Sequence, residues 1–134
     1  MIDIAVARRL QLAGLLWDPA EGDWFVIDNE QLREQPFMLS SMVIELGHSR
    51  VGERIFRFNG TTEWALDSVE QSEALWIPRE DQLRDALGDA FAALRRTEAG
   101  GYLVELRTSE GTREVPAPRA EDALAGALLV LLAP

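Results

Sequence analysis

The residues best suited to chemistry lie in the stretch RFNGTTEWAL, residues 57–66. Its functional groups are an amide, two hydroxyls, a carboxylate and an indole, carried by Asn59, Thr61, Thr62, Glu63 and Trp64. Aromatic walls with a few convergent polar groups are typical of small-ligand sites. We therefore predict a polar binding rim at this segment, with Trp76 and His48 as further candidate members.

His48 is the only histidine, and it stands in a segment with glycine at residues 47 and 52. That spacing predicts a turn with an exposed, inert histidine. A catalytic role would require a nearby serine and an acid, and no G-x-S-x-G motif is present. Cysteine and lysine are also absent, which excludes thiolate and Schiff-base chemistry. The sequence therefore predicts no catalytic residue, no cofactor and no metal.

Three acids surround Gly22, namely Asp18, Glu21 and Asp23. Their oxygens could hold a hard cation, but the order of residues in a calcium loop is missing. Asp and Asn side chains commonly bond the backbone of turns. We therefore predict that these acids serve a turn.

The four tryptophans each flank a turn or the end of a predicted element: Trp17, Trp24, Trp64 and Trp76. They could line one ligand pocket, or each could anchor the core with its indole N–H on a carbonyl group. We favour the anchor interpretation.

The elements that must position these residues begin with a helix over residues 3–16, with Asp3 as the N-cap. A short strand follows at residues 24–27, and a longer one at residues 37–46. A further strand near residues 53–57 leads into the polar segment.

The segment itself predicts a hairpin with a three-residue loop, residues 58–60. That register pairs Phe56 with Thr62 and places Gly60 in the left-handed position that such loops require. A strand at residues 61–66 and an acidic loop at residues 67–73 complete this half.

In the second half, Pro78 begins a helix whose apolar stripe runs to Leu94 and which ends at Gly100. Residues 102–107 and 113–115 then flank a compact hairpin turn. The last helix begins near Pro118, and residues 123–133 are apolar nearly all round. Such a helix is buried within the fold or against a partner.

This order predicts an α+β fold: an N-terminal helix, an antiparallel sheet of about four strands, then helix–β-hairpin–helix. Residues 1–73 form the helix and sheet, and residues 74–134 form the second segment. We expect the two to pack as one globular unit.

A net charge of −10 argues against binding to nucleic acid, which requires a basic face. No apolar run approaches the roughly 20 residues that span a bilayer, so no membrane partner is expected. The N-terminus carries Asp3 and paired arginines within its apolar pattern. That order is unlike a signal peptide and predicts a cytoplasmic protein.

Residues 58–88 resemble a family of small proteins from GC-rich bacteria. Its members share F-N-G-T-T-E-W-A-L followed by L-W-[IL]-P-R-E-D-Q-L. Some members carry a pilus-assembly label that belongs to a much larger ATPase, whose nucleotide-binding loop this chain lacks. The resemblance implies no catalytic residues.

The leading functional prediction is a non-enzymatic cytoplasmic module that acts through a protein partner or through self-association as a homodimer. One alternative is a small-ligand-binding or hydrolytic site at residues 59–64. Another is an acidic regulator of a basic partner.

Overall fold

The computed structural model describes residues 1–28, 31–39, 44–48, 54–58, 68–70 and 73–133. The described elements, in chain order, are α1 (Ile4–Leu12), β1 (Trp24–Ile27), β2 (Phe37–Met38), β3 (Ile44–His48), β4 (Arg54–Phe58), β5 (Ser68–Glu70), β6 (Ala74–Ile77), α2 (Glu80–Leu87), a 3-10 turn (Gly88–Ala90), β7 (Phe91–Arg96), β8 (Tyr102–Thr108), β9 (Gly111–Ala117) and α3 (Ala120–Leu132). The α+β class and the helix-first order are confirmed. The strands form three antiparallel three-stranded sheets, more than the single four-stranded sheet predicted.

The chain divides into two compact units. One unit, here called the discontinuous unit, consists of Met1–Leu16 and Pro78–Pro134. The other, here called the inserted unit, is Trp17–Ile77. This division differs from the predicted boundary after residue 73, because α1 groups with the C-terminal elements.

In the discontinuous unit, helix α3 packs against the sheet β7-β8-β9, and α1 and α2 pack against α3. Val104 and Leu106 on β8 are 0% exposed, as is Leu124 on α3. α3 contacts both β8 and β9. The first turns of α3 are therefore the core of this unit, which explains the apolar character of that part of the helix.

Helix α1 lies beside α3 in the same direction. The N-terminal ammonium of Met1 donates to the carboxylate of Glu121 at 2.5 Å, and the two helices are in contact. α1 ends at Leu12 because Gly14 adopts φ 104, a conformation that costs glycine little. The predicted continuation to residue 16 is wrong, and Leu16 is 88% exposed. Asp3 occupies the predicted N-cap position without a capping bond from its side chain.

The predicted extension of α2 to Leu94 and beyond is also wrong. The helix ends at Leu87, and Gly88 follows with φ 56 in the left-handed region. Residues 91–96 form β7, which pairs with β8. Arg95 and Arg96 therefore end a strand and not a helix.

The β8–β9 hairpin is confirmed. Thr108 pairs with Gly111 across the turn of Ser109 and Glu110. The Thr108 hydroxyl donates to the Gly111 carbonyl at 2.7 Å and accepts from the Glu110 N–H at 3.3 Å. Gly111 has φ 115, which a side chain would strain.

In the inserted unit, β1 lies between β2 and β6. The predicted strand at residues 24–27 is confirmed, and its core consists of Phe25, Ile27, Leu39 and Ala74. Alternate residues of a strand point to opposite faces, yet Phe25, Val26 and Ile27 are all buried. β1 is therefore covered on both faces.

The second sheet of the inserted unit has the order β3-β4-β5. The predicted strand at residues 37–46 is two strands, and Gly47 and His48 belong to β3 and not to a turn. Residues 68–70 form β5 and not a loop. Phe56 lies opposite Leu46 on one side and Val69 on the other. The predicted pairing of Phe56 with Thr62 across a three-residue loop is therefore wrong.

Candidate functional site

Most of the predicted binding rim falls outside the described residues, namely Asn59, Thr61, Thr62, Glu63 and Trp64. His48 is the last residue of β3, with its backbone opposite Arg54. Trp76 lies in β6, opposite Phe25 in β1. The rim thus stays a prediction, and Trp76 is the member whose surroundings are known.

Trp76 belongs to an aromatic cluster of the inserted unit. Its ring stacks on Trp17, with centroids 6.2 Å apart and planes at 6°, and Trp17 lies 5.8 Å from Phe25. Phe25 in turn contacts Phe37 at 5.9 Å. The packing of this pair fits the anchor interpretation, since each indole covers the other. The predicted bond from each indole N–H to a carbonyl group is not found: Trp17 Nε1 donates to a carboxylate, and Trp76 Nε1 has no acceptor among the described residues.

The Trp76 indole N–H is buried and has no hydrogen-bond acceptor within the part of the chain that the structure describes. An unsatisfied buried donor costs about 1–3 kcal/mol.

Asp23 holds the other indole in place. Its side chain is buried, at 2% exposure, and its Oδ2 accepts from Trp17 Nε1 at 2.9 Å and from the Ala20 N–H at 3.0 Å. Its carbonyl accepts from the Leu39 N–H at 2.8 Å. The turn role predicted for this acid is confirmed, and the same carboxylate fixes the plane on which Trp76 stacks.

The discontinuous unit contains a groove between α1, α3 and β9, here called the arginine groove. Its volume is about 430 Å³, and its lining residues are Arg9, Arg113, Gly126, Leu129, Val130 and Ala133. A Cβ at Gly126 would lie 3.1 Å from Val115 Cγ1. The missing side chain therefore lets α3 approach β9 closely at one end of the groove.

Both arginines of the groove are exposed, and neither forms an ion pair or hydrogen bond with its side chain within the described residues. Other arginines of this unit are paired: Arg95 with Glu105 at 3.4 Å, and Arg119 with Asp122 at 2.8 Å. The groove thus concentrates unmatched positive charge on a chain whose net charge is −10. Sequence reasoning missed this site because Arg9 and Arg113 are far apart in the chain and belong to no local motif.

A second groove, of about 450 Å³, lies at the β7–β8 turn; it is lined by Thr97, Ala99, Gly100, Gly101, Tyr102, Pro116, Ala117 and Pro118. The Thr97 hydroxyl accepts from the Gly101 N–H at 3.1 Å, and the Arg96 guanidinium lies 5.9 Å from the Tyr102 ring centroid. These contacts close the turn among themselves. They provide no unmatched charge to select a ligand.

The β7 edge is the remaining surface of interest. Within the sheet, β7 pairs with β8 alone, and residues 91–94 are all partly exposed. The opposite edge strand, β9, contains Pro116 and is mostly exposed. The two edges of one sheet are therefore unlike.

Among the described residues, no group of three or more His, Asp or Glu side chains is placed to hold a metal ion. No helix in the described ranges is both long and apolar enough to cross a membrane. No protein-family model matches the chain, and neither a curated protein nor a solved structure is similar to it.

Proposed function

We propose that the protein is a non-enzymatic cytoplasmic interaction module that self-associates through β7. The observation that carries the proposal is that β7 is an edge strand without proline whose first four residues are apolar and partly exposed. A strand edge presents unpaired N–H and C=O groups to any strand that approaches it. Here the sequence of that edge is FAALRR.

The two edges of the sheet differ in how well they resist such pairing. Proline and charged side chains are the usual protection of an edge, and β9 has Pro116 together with Arg113 and Glu114. The first four residues of β7 include neither proline nor a charged side chain, and the irregularity in its pairing with β8 is confined to the step from Phe91 to Ala93. The main contacts of α3 with this sheet fall on β8 and β9, so β7 is the edge strand that the helix covers less.

Charge favours an antiparallel pair of identical strands. Asp89 precedes β7, and Arg95 and Arg96 end it. Two-fold antiparallel pairing places the acidic end of each strand near the basic end of the second copy, whereas parallel pairing places like charges together. The occupant of this edge is therefore a second copy of the chain.

The first test is mass by size-exclusion chromatography with light scattering, from micromolar to millimolar chain. We expect a dimer for the wild type and a monomer for Ala93→Lys. Ala93 lies opposite Glu105, on the face away from buried Val104, so the lysine leaves the core intact. The matched control is Thr112→Lys on the β9 edge, which should stay dimeric.

A second test uses the absence of cysteine from the chain. Under oxidising conditions Ala93→Cys should form an intermolecular disulfide, because two-fold pairing brings the two copies of residue 93 together. Thr112→Cys should not. A monomeric wild type at millimolar concentration, or equal cross-linking by both variants, would refute self-association through β7.

A further inference from the structure

The arginine groove combines an apolar wall with two guanidinium groups that have no acidic partner among the residues that the structure describes. Leu129, Val130 and Ala133 belong to the C-terminal end of α3 and are partly or fully exposed. The preceding residues of the same helix, from Ala123 to Leu128, are buried except at Gly126. Burial in the core therefore explains why the first part of α3 is apolar, but it does not explain the apolar side chains at the end of the helix.

From this combination we propose that the arginine groove binds a small amphiphile with a carboxylate head and an aliphatic chain. Guanidinium groups match carboxylates in geometry and charge, and they can bind them through two parallel hydrogen bonds. The volume of about 430 Å³ falls within the roughly 300–1,000 Å³ range of small-ligand sites. The inference is independent of β7 pairing.

Charge complementarity selects the head group. The chain has 23 acidic and 13 basic residues, so an anion meets repulsion over most of the surface. At the groove it meets Arg9 from α1 and Arg113 from β9, neither neutralised by an acid within the described residues. A cationic amphiphile of the same chain length is repelled at this position.

The apolar wall selects the tail. Each methylene that leaves water contributes about fourfold to affinity, so the chain provides most of the binding and the arginines provide its orientation. Gly126, which has no side chain, also lines the groove and brings α3 close to β9 at one end of it. Acetate, which has the head without the tail, should therefore not bind measurably.

Arginines near the C-terminal end of a helix also stabilise it by interacting with its dipole. A purely structural role of that kind predicts a lower melting temperature for variants without Arg9 and Arg113, and no ligand specificity. Melting temperature is therefore measured beside binding.

The experiment is calorimetric titration with decanoate below its micelle concentration, together with amide NMR shifts. We expect saturable binding, with shifts centred on Gly126, Val130 and Arg113. Decyltrimethylammonium, decyl maltoside and acetate are the comparison probes, and none should bind in the same range. Equal binding of the cationic or neutral amphiphile would overturn the proposal in favour of nonspecific apolar association.

Two variants localise the site. Arg9→Ala with Arg113→Ala should weaken decanoate binding by about 1.5- to 5-fold per arginine, the range for an exposed ion pair. Added salt should weaken wild-type binding in the same direction. Arg107→Ala is the matched control, because Arg107 lies on the opposite face of the sheet from Arg113, and it should bind as the wild type does. Unchanged affinity in the double variant, or an equal loss in the control, would overturn the assignment.

Discussion

Replacing Asp23 by alanine removes the acceptor that orders residues 17–23 of the inserted unit. The carboxylate is 2% exposed and accepts from the Trp17 indole and the Ala20 N–H. The substitution leaves both donors without that acceptor. It also removes the bond that fixes Trp17 for stacking on Trp76.

The magnitude follows from those two bonds. An unsatisfied buried donor costs about 1–3 kcal/mol, and because both bonds are only partly buried we take the lower end, about 1 kcal/mol each. Asp23→Ala should therefore lower the free energy of unfolding by at least about 2 kcal/mol. Asp23→Asn keeps one carbonyl oxygen as an acceptor but loses the charge, and should cost about half as much.

Urea unfolding followed by tryptophan fluorescence measures both values. With a slope of about 1–3 kcal/mol per molar, Asp23→Ala should lower the midpoint by about 1 M. In a Trp17→Phe background the same substitution should cost about 1 kcal/mol less, because one donor is already absent. An Asp23→Ala midpoint equal to that of the wild type, or no coupling with Trp17→Phe, would refute the role assigned to this carboxylate.

Three further predictions concern the discontinuous unit. Gly101→Ala should destabilise it by about 1–3 kcal/mol in thermal unfolding, because the new Cβ would lie 3.0 Å from the backbone carbonyl of Ala117. Leu124→Ala should cost about 2–5 kcal/mol in urea, since the side chain is 0% exposed in the core. The pKa of Asp81 should lie below its usual value in an NMR titration, because the Arg79 guanidinium donates to this carboxylate. A depressed pKa contributes stability that is present above the unfolded-state value and lost as the pH falls through the folded-state value.

Each has an outcome that would contradict it. The first prediction is contradicted if Gly101→Ala unfolds at the same temperature as the wild type. The second is contradicted if Leu124→Ala loses no more free energy of unfolding than Leu12→Ala, a control at a position that is 80% exposed. For the titration, Arg79→Ala should raise the midpoint of Asp81. An unchanged midpoint would show that the neighbouring guanidinium is not the cause.

Local patterns predicted the elements whose signals were unambiguous. β1 begins and ends where its apolar run does, and the β8–β9 hairpin lies at its Gly111 turn. The error in α2 has a physical reason: Ala92, Ala93 and Leu94 favour helix on their own and continue the apolar spacing. Pairing with β8 after the left-handed Gly88 overrides both preferences.

Contacts between residues that are far apart in the sequence could not be predicted from local patterns. The pairing of Phe56 with Val69 replaces the tight hairpin that Gly60 suggested. Arg9 and Arg113 meet in one groove only because α1 packs beside α3. By contrast, Asp23 was recognised as a turn residue, since that role depends on residues near it in the chain.

The division of the chain has a consequence for its synthesis on the ribosome. Helix α1 is made before the inserted unit, but the Glu121 carboxylate that binds the Met1 ammonium is made more than a hundred residues later. All segments of the inserted unit, Trp17–Ile77, are complete before α2 begins. Contacts between distant residues form late, so α1 cannot pack against α3 until the inserted unit has been translated. A chain that ends at Ile77 and has been released from the ribosome should thus protect the inserted unit from protease, whereas α1, without α3, should be cleaved more readily than in the full chain.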